Sequence, residues 1–248
     1  MCCVVKRSIK IKKKFLLLIS LMLALSLTTM TAYAGTGTAS PFSIFGEDDR
    51  VKVSSTSGSN LAICKIAITY DNGTVGYGTG FLIDSTTVVT AGHCLHAEKS
   101  DGTAKDAVSV VCYFGCSGPN YNPSYYASRS VTCTDENTFW PDEWDSFNAN
   151  YDYGVIKLSS AFTAPSSYFN LSTISSPEGK TISITGYEEH LLDTEFTNWE
   201  LIRGTGEIIS STTRRLRTRA EALPGQSGSP VVYNGNVVGI YTYGSNNG

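Results

Sequence analysis

Three residues that lie far apart in the sequence have the side-chain types that acyl-transfer chemistry needs: His93, Asp152 and Ser227. A serine hydroxyl can attack a carbonyl carbon when an imidazole takes its proton and a carboxylate fixes the tautomer of that imidazole. Each residue alone has an ordinary interpretation, since single histidines are mostly surface or core residues and such aspartates mostly belong to turns. Taken together and in this order, they form a candidate catalytic set.

The serine lies in Pro224-Gly225-Gln226-Ser227-Gly228-Ser229-Pro230, with apolar Val231-Val232 after it. This pattern predicts a tight turn that runs into a strand. Gly225 leaves the backbone free to direct an N–H, and Gly228 permits a close approach by another segment. The N–H groups of Gly225 and Ser227 could therefore stabilise a developing oxyanion.

The elements that must position these residues are predicted to be strands. Short runs of β-forming residues alternate with Gly, Asn, Asp and Ser turns, and no helical period is sustained. Asp71-Asn72-Gly73 is a hairpin signal. Strands are predicted at 61–68, 80–83, 87–90, 108–114, 155–158, 182–186, 206–210, 216–220, 231–232 and 237–241. The fold class is all-β, a barrel or a sandwich.

Three motifs together resemble the chymotrypsin-like serine peptidases, and most closely their bacterial V8-like, glutamyl endopeptidase branch. They are Thr90-Ala91-Gly92-His93-Cys94, Tyr151-Asp152-Tyr153-Gly154 and Gly225-Gln226-Ser227-Gly228-Ser229-Pro230. Phe45-Gly46-Glu47-Asp48-Asp49-Arg50 also resembles the start of the mature Bacillus-type enzymes. The resemblance implies two six-stranded antiparallel β-barrels with the site in the cleft between them.

The resemblance also implies roles for the candidate residues. His93 is the expected general base and acid, Asp152 its orienting carboxylate and Ser227 the nucleophile. The backbone amides of Gly225 and Ser227 form the expected oxyanion hole. The implied reaction is hydrolysis of peptide bonds through an acyl-enzyme, with no cofactor.

Substrate specificity stays open, because the candidate pocket residues depart from the glutamyl endopeptidases. Tyr241 stands where those enzymes have a histidine, and Ala222 stands where they have a hydroxyl residue. Glu221 could instead favour a basic P1 residue, or could be a wall or surface acid. The pocket candidates are Glu221, Ala222, Tyr241, Thr242 and Gly244, and Arg215, Arg217 and Arg219 form either a solvated face or a contact for acidic substrate.

Residues 1–34 are predicted to be a signal peptide, with a basic front, an apolar run from Phe15 to Leu27 and the cleavage pattern Ala32-Tyr33-Ala34. Residues 35–44 are a leader or short pro-segment, and residues 45–248 are the peptidase domain. We expect secretion, without stable membrane association after cleavage. The long basic front resembles Gram-positive signals.

The charge balance excludes some partners. The first 34 residues hold six of the 19 basic residues and none of the 22 acidic ones, which leaves a net charge near −9. Such a chain is not expected to bind nucleic acid or anionic membranes as its main function. The expected partner is a protein or peptide substrate, and the expected state is a monomer.

Five cysteines remain after the signal: Cys64, Cys94, Cys112, Cys116 and Cys133. An exported chain with an odd number of cysteines is expected to have one or two disulfides and a free thiol. Cys112 or Cys116 with Cys133 is the favoured pair. A metal site is the alternative, although Cys112-x-x-x-Cys116 lacks a second ligand pair with zinc-like spacing.

Two further histidines are predicted to be non-catalytic: His96, as an exposed residue on a short helical turn, and His190, as a loop residue. Only 21 residues follow Ser227, whereas the resemblance implies a further strand and a closing helix. We therefore expect a second barrel that is truncated or closed unusually. The alternative function is a catalytically weak or inactive relative that uses the cleft as a binding module. Ester hydrolysis is disfavoured, because the Gly-x-Ser-x-Gly elbow is missing.

Overall fold

The structure, a computed structural model, describes residues 48–116, 128–132, 134–189 and 200–244. The predicted signal peptide and leader, Cys133 and His190 lie outside these residues. No helix in the described part of the chain is long and apolar enough to cross a membrane.

Strands make up almost all of the regular structure. They are β1 (Val51–Val53), β2 (Ile63–Tyr70), β3 (Val75–Leu82), β4 (Thr87–Thr90), β5 (His96–Glu98), β6 (Ala104–Phe114), β7 (Ser128–Thr132), β8 (Thr138–Phe139), β9 (Gly154–Lys157), β10 (Thr181–Tyr187), β11 (Leu201–Ser211), β12 (Leu216–Thr218), β13 (Pro230–Tyr233) and β14 (Asn236–Ile240). One helical turn, α1, spans Gly92–Leu95, and 3₁₀ helices span Gly58–Ala62 and Asp142–Ser146.

The first sheet has the strand order β5-β6-β2-β3-β4-β9-β8, and β7 pairs with β6. The predicted hairpin joins β2 to β3: Gly73 has φ +80°, and its N–H donates to Tyr70 O at 2.9 Å. A positive φ at this turn is what a glycine tolerates best. In the antiparallel pairing of β4 with β9, Thr90 lies opposite Gly154. The end of β4 therefore lies beside the start of β9.

The second sheet has the order β1-β11-β10-β13-β14, and β12 pairs with β11. Long strands β10 and β11 pair over seven positions, from Thr181 opposite Glu207 to Tyr187 opposite Leu201. A Cβ on Gly204 of β11 would lie 3.0 Å from the carbonyl carbon of Glu221. The segment that leads into the Ser227 turn therefore packs directly against the backbone of β11.

Buried apolar side chains form two clusters. The first cluster includes Ile66, Phe81 and Leu95, all fully buried, and the ring of Phe81 meets that of Phe169 edge-on at 5.6 Å between centroids. The second cluster is smaller and is built on Ile184 and its neighbours. Burial of this apolar area is the main favourable contribution to folding.

The predicted all-β class with antiparallel sheets is confirmed. The strand counts differ from the expected six and six: the described residues form an eight-stranded first sheet and a six-stranded second sheet. The short strands β5, β7 and β8 make the first sheet larger. In the second sheet β14 lies at the edge of the order, and its outer contact is a single parallel bridge from Val237 to Leu171.

The described residues include four of the five cysteines that remain after the predicted signal. Cys64, Cys94, Cys112 and Cys116 are all buried, and Cys133, the predicted disulfide partner of Cys112 or Cys116, lies outside the described residues. Cys112 points into the first sheet's core, where its thiol hydrogen-bonds with that of Cys64. The described residues contain no group of three histidine, cysteine, aspartate or glutamate side chains that could hold a metal ion.

His96 is buried, so the prediction that it is exposed is wrong. Its ring is stacked between Trp140 and Phe147, at 5.2 Å from each centroid, and its Nδ1 is 2.6 Å from Asp106 Oδ1. Sequence position alone did not indicate this aromatic enclosure, which depends on the loop before β9. Trp144 packs in the same loop, where it is buried and its indole N–H donates to His96 O.

The buried thiols are expected to be unreactive in the folded protein. Burial raises the pKa of Cys94 to about 12, and burial and the Cys112 hydrogen bond raise that of Cys64 well above its usual value. Because the thiolate is the reacting species, Ellman's reagent at about pH 8 should modify neither residue until guanidinium unfolds the chain. Peptide mapping after alkylation checks this. Rapid labelling of Cys94 in the native state, or a disulfide-linked Cys64 peptide, would contradict it.

Candidate active site

The end of β4 and the start of β9 bring His93 and Asp152 together. α1 follows β4 and packs on β9, where a Cβ on Gly154 would lie only 2.8 Å from Leu95 Cδ1. A Cβ on Gly92 would lie 3.1 Å from Asp152 Oδ1. The glycines at these two positions thus allow the helical turn and the carboxylate to approach closely.

Asp152 holds His93 through both of its carboxylate oxygens. Oδ2 is 2.7 Å from His93 Nδ1, and Oδ1 accepts the backbone N–H of His93 at 2.8 Å. The side chain of Asp152 is 1% exposed, whereas that of His93 is 26% exposed. A buried carboxylate needs such partners, and this one fixes both the ring and the backbone of the histidine. The other ring nitrogen, Nε2, is then left for a different contact.

The outer face of the His93 ring is covered by Tyr243. The two rings stack at 5.4 Å between centroids with an angle of 29°. Burial, with the nearby charge of Asp152, raises the pKa of the Tyr243 phenol. Tyr243 thus screens the pair from solvent and stays neutral.

The predicted turn around Ser227 is formed as the glycines indicated. Gly225 has φ +88° and Gly228 has φ +90°, values that side chains rarely permit. The N–H of Gln226 donates to Leu223 O, and that of Gly228 donates to Tyr241 O at 2.7 Å. Among the described residues, the N–H groups of Gly225 and Ser227 donate to no acceptor. The N–H groups of these two residues are therefore available as hydrogen-bond donors at this turn.

Thr79 of β3 is a residue that the sequence prediction missed. Its N–H donates to Ser227 O at 2.8 Å, and its hydroxyl donates to Gly225 O at 2.9 Å. The same hydroxyl accepts the N–H of Tyr187 at 2.9 Å. The only sequence signal was a threonine between two glycines, which in a strand marks a close backbone approach.

Gln226 is fully buried, and its side-chain amide holds the turn through hydrogen bonds to backbone groups. Its Oε1 accepts the N–H of Leu223 at 2.9 Å, and its Nε2 donates to Ile202 O at 3.2 Å and Gly186 O at 3.5 Å. All of these contacts are between neutral groups. The turn is therefore held without a charge at this position.

The predicted pocket residues fall into two groups. Tyr241, Thr242 and Gly244 line a cavity of about 980 Å³, together with Asp152. Glu221 and Ala222 are buried and lie outside that lining. Arg215 and Arg217 also line the cavity, whereas Arg219 does not.

Ser227 and His93 are the two residues between which a proton would have to pass. Within the described residues no hydrogen bond joins His93 to the Ser227 hydroxyl. Catalytic hydrogen bonds are often long before substrate binds. The arrangement nevertheless supplies a hydroxyl, an oriented imidazole, a buried carboxylate and two free N–H donors, which is the set of groups that acyl transfer requires.

Comparison with known proteins gives the same family over most of the chain. Residues 56–248 match the family model described as Trypsin. A glutamyl endopeptidase of Bacillus licheniformis is 36% identical over 190 residues, which is 76% of this chain and 54% of that protein. A protein of Bacillus subtilis described as an extracellular metalloprotease is 34% identical over 202 residues, 79% of this chain and 59% of that protein. The chain thus spans little more than half the length of these two relatives.

Solved structures share the fold. A Glu endopeptidase in complex with MPD has a TM-score of 0.65 at 23% identity, covering 82% of this chain and 88% of that one. A scabies mite inactivated protease paralogue has a TM-score of 0.58 at 12% identity, covering 77% and 84%. At these identities the likeness concerns the fold alone.

Replacing Gln226 by glutamate should destabilise the protein, since one carboxylate oxygen would then face Ile202 O. We expect a loss of roughly 1–3 kcal/mol in the free energy of unfolding. Burial would raise the pKa of the new carboxyl group in the folded state, so the loss should be small below about pH 4 and grow as pH rises. Urea unfolding of Gln226→Glu across this pH range checks the expectation. The surface control Asn72→Asp should be near neutral, and equal stability of both variants at neutral pH would contradict the prediction.

Proposed function

Since the chain belongs to the trypsin family, we propose that it is a serine endopeptidase that hydrolyses peptide bonds through an acyl-enzyme. The observation that carries the proposal is the paired hydrogen bonding of Asp152 to the ring and backbone of His93. This contact favours the tautomer with the proton on Nδ1 and leaves a lone pair on Nε2. An imidazole in that state is the base that a serine nucleophile needs.

In the proposed reaction, the Ser227 hydroxyl attacks the scissile carbonyl carbon while His93 Nε2 takes its proton. His93 then gives that proton to the leaving amine as the peptide C–N bond breaks. A water molecule, deprotonated by the same nitrogen, attacks the acyl-enzyme and returns Ser227 to its free state. Asp152 stays ionised and stabilises the imidazolium in both steps.

The N–H groups of Gly225 and Ser227 are the proposed oxyanion donors. Their lack of other acceptors supports this role, because donors already aligned with the developing charge need little reorganisation. The hydrogen bonds from Thr79 to Ser227 O and Gly225 O support it further. They hold the peptide groups that follow Gly225 and Ser227 and so restrain the backbone at the two residues that carry the donors.

We propose that residues 1–34 direct export and are removed, that residues 35–44 form a leader or pro-segment, and that the domain of residues 45–248 acts outside the cell, in a Gram-positive bacterium. The basic front, apolar run and Ala32-Tyr33-Ala34 pattern support this. The proposed substrate is a protein or peptide, and the proposed state is a monomer.

The P1 preference is a choice among substrate residues with acidic, basic or other side chains. Glu221 contributes to the charge around Arg50, which argues against a pocket floor for a basic side chain. Arg215 on the cavity lining instead offers a positive charge near Tyr243. We therefore favour acidic over basic substrate residues on this side of the cleft.

A binding module with weak or absent catalysis is the second candidate. The observation in its favour is that, within the described residues, His93 makes no hydrogen bond to the Ser227 hydroxyl. Covalent labelling by a fluorophosphonate separates the two functions, because labelling requires an activated serine beside a formed oxyanion hole. A folded protein that is not labelled would favour the binding function.

The mature protein is expected to cleave an unbiased peptide library, and Ser227→Ala should lower kcat by about 10³-fold or more, because no other group replaces the nucleophile. Mass spectrometry of the products gives the P1 residue. Cleavage that persists unchanged in Ser227→Ala would contradict the proposed mechanism. Cleavage only after lysine or arginine would contradict the favoured substrate preference alone.

Thr79→Val should lower kcat about tenfold while KM changes little, because the hydroxyl that holds Gly225 O is lost and the oxyanion donors are no longer fixed. Thr79→Ser keeps a hydroxyl and should restore most of the activity. Steady-state kinetics of both variants with one peptide substrate tests this. If the valine and serine variants lose the same activity, the methyl group and not the hydroxyl is what matters.

A further inference from the structure

We propose that the buried Arg50–Glu188 ion pair positions the Gly225–Ser227 turn, so that the segment before β1 controls the geometry of the oxyanion donors. This inference rests on the proposed function, since it assigns positioning residues to that site. Neither residue was a candidate in the sequence analysis. They lie 138 positions apart in the chain.

The pair is enclosed although both partners are charged. The guanidinium of Arg50 contacts Glu188 Oε1 through Nη1, with side-chain exposures of 8% and 5%. Arg50 also bonds Asp48 through Nε and Nη2, at 2.8 and 2.7 Å. Removing two charges from water is costly, and their attraction offsets that cost only while the two side chains keep their mutual geometry. The contact therefore couples the position of one backbone segment strongly to the other.

The backbone of Glu188 packs closely against the turn at Gly225. A Cβ on Gly225 would lie 2.7 Å from the carbonyl carbon of Glu188 and 2.8 Å from Tyr187 O. The N–H of the next residue, Glu189, donates to Pro224 O at 2.7 Å. The backbone at Glu188 thus forms the wall against which Gly225 adopts its positive φ. A shift of this wall moves the Gly225 peptide and its N–H.

The charged groups around Glu188 come from four segments. Arg50 and Asp48 lie before β1, and Glu200 lies before β11. Lys65 of β2 donates to the Glu188 carbonyl oxygen at 3.2 Å, and Glu221 acts on Arg50 through its charge. The pKa of Glu188 is raised to about 7: burial is the largest cause, Arg50 lowers the pKa, and Asp48 and Glu200 raise it. Glu188 thus loses its charge, and the ion pair with it, as pH falls below about 7.

The test compares Arg50→Gln, Glu188→Gln and the double variant with wild type. Each single change should lower kcat about tenfold or more, because loss of one oxyanion donor costs about 100- to 1000-fold. KM for a peptide should stay within about threefold, because the ground state does not use these donors. A peptide boronate or aldehyde should lose affinity by the same factor as kcat/KM. The double variant should be no worse than either single variant, since the pair acts as a unit.

The matched control is the exposed pair Lys52–Glu200, whose side chains are 56% and 39% exposed. Lys52 lies in β1, and Glu200 lies immediately before β11, the strand that pairs with β1. Lys52→Gln and Glu200→Gln should leave kcat within about twofold, because exposed pairs contribute little. An equal loss in this pair and in Arg50–Glu188 would overturn the proposal.

The pH dependence separates positioning from simple destabilisation. The ratio of wild-type kcat to Glu188→Gln kcat should be about tenfold above pH 8 and approach one near pH 5, because protonated Glu188 is neutral like glutamine. A ratio that is constant with pH would overturn the proposal.

Folding is measured first, by circular dichroism and thermal unfolding. If Glu188→Gln does not fold, Arg50→Lys, which keeps the charge but loses the paired geometry, must show the same fall in kcat without a change in KM. If neither variant folds, the pair serves the stability of the whole sheet and the proposal is wrong. Failure of the proposed function is distinct, since wild type itself would then neither cleave peptides nor react with the fluorophosphonate.

Discussion

The turn that carries Ser227 belongs to the second sheet in sequence, but the first sheet holds it in place through Thr79. This strand residue bonds two carbonyl oxygens of the turn and the N–H of Tyr187 at the end of β10. A Cβ on Gly228 would collide with Thr79 O, so the glycine is what permits this contact. The site therefore exists only where backbone segments of both sheets meet without intervening side chains.

Two buried carboxylates in this chain fix the position of a distant segment. Asp152 fixes the helical turn that follows β4, and Glu188 fixes the segment before β1. Each is worth little as net stabilisation, since desolvation offsets most of the attraction between the charges. Each is specific instead, because a different arrangement would leave the charge without its partner.

Sequence reasoning found the residues whose chemistry is visible in their local motif. The glycines around Ser227, the Asp71-Asn72-Gly73 hairpin and the alternation of short strands are local signals, and the structure contains the elements that they predict. Glu188 and the enclosure of His96 depend on contacts between segments far apart in sequence, for which no local pattern exists, and the only local signal at Thr79 is its place between two glycines. The disulfide of Cys112 or Cys116 with Cys133 stays a prediction, because Cys133 lies outside the described residues, and Cys112 and Cys116 themselves lie in the buried core.

Because Gln226 is neutral, the turn around Ser227 needs no charged partner of its own. A carboxylate in that buried position would require a positive partner, and such a partner would have to enter the turn itself. The amide satisfies both its oxygen and its nitrogen with backbone groups, so the turn can form without a charge. The strong electrostatic contact then lies one segment away, between Arg50 and Glu188, where it acts on the wall behind Gly225. The residues of the turn from Pro224 to Gly228 are uncharged, so no charge within the turn competes for the N–H groups of Gly225 and Ser227, the proposed oxyanion donors.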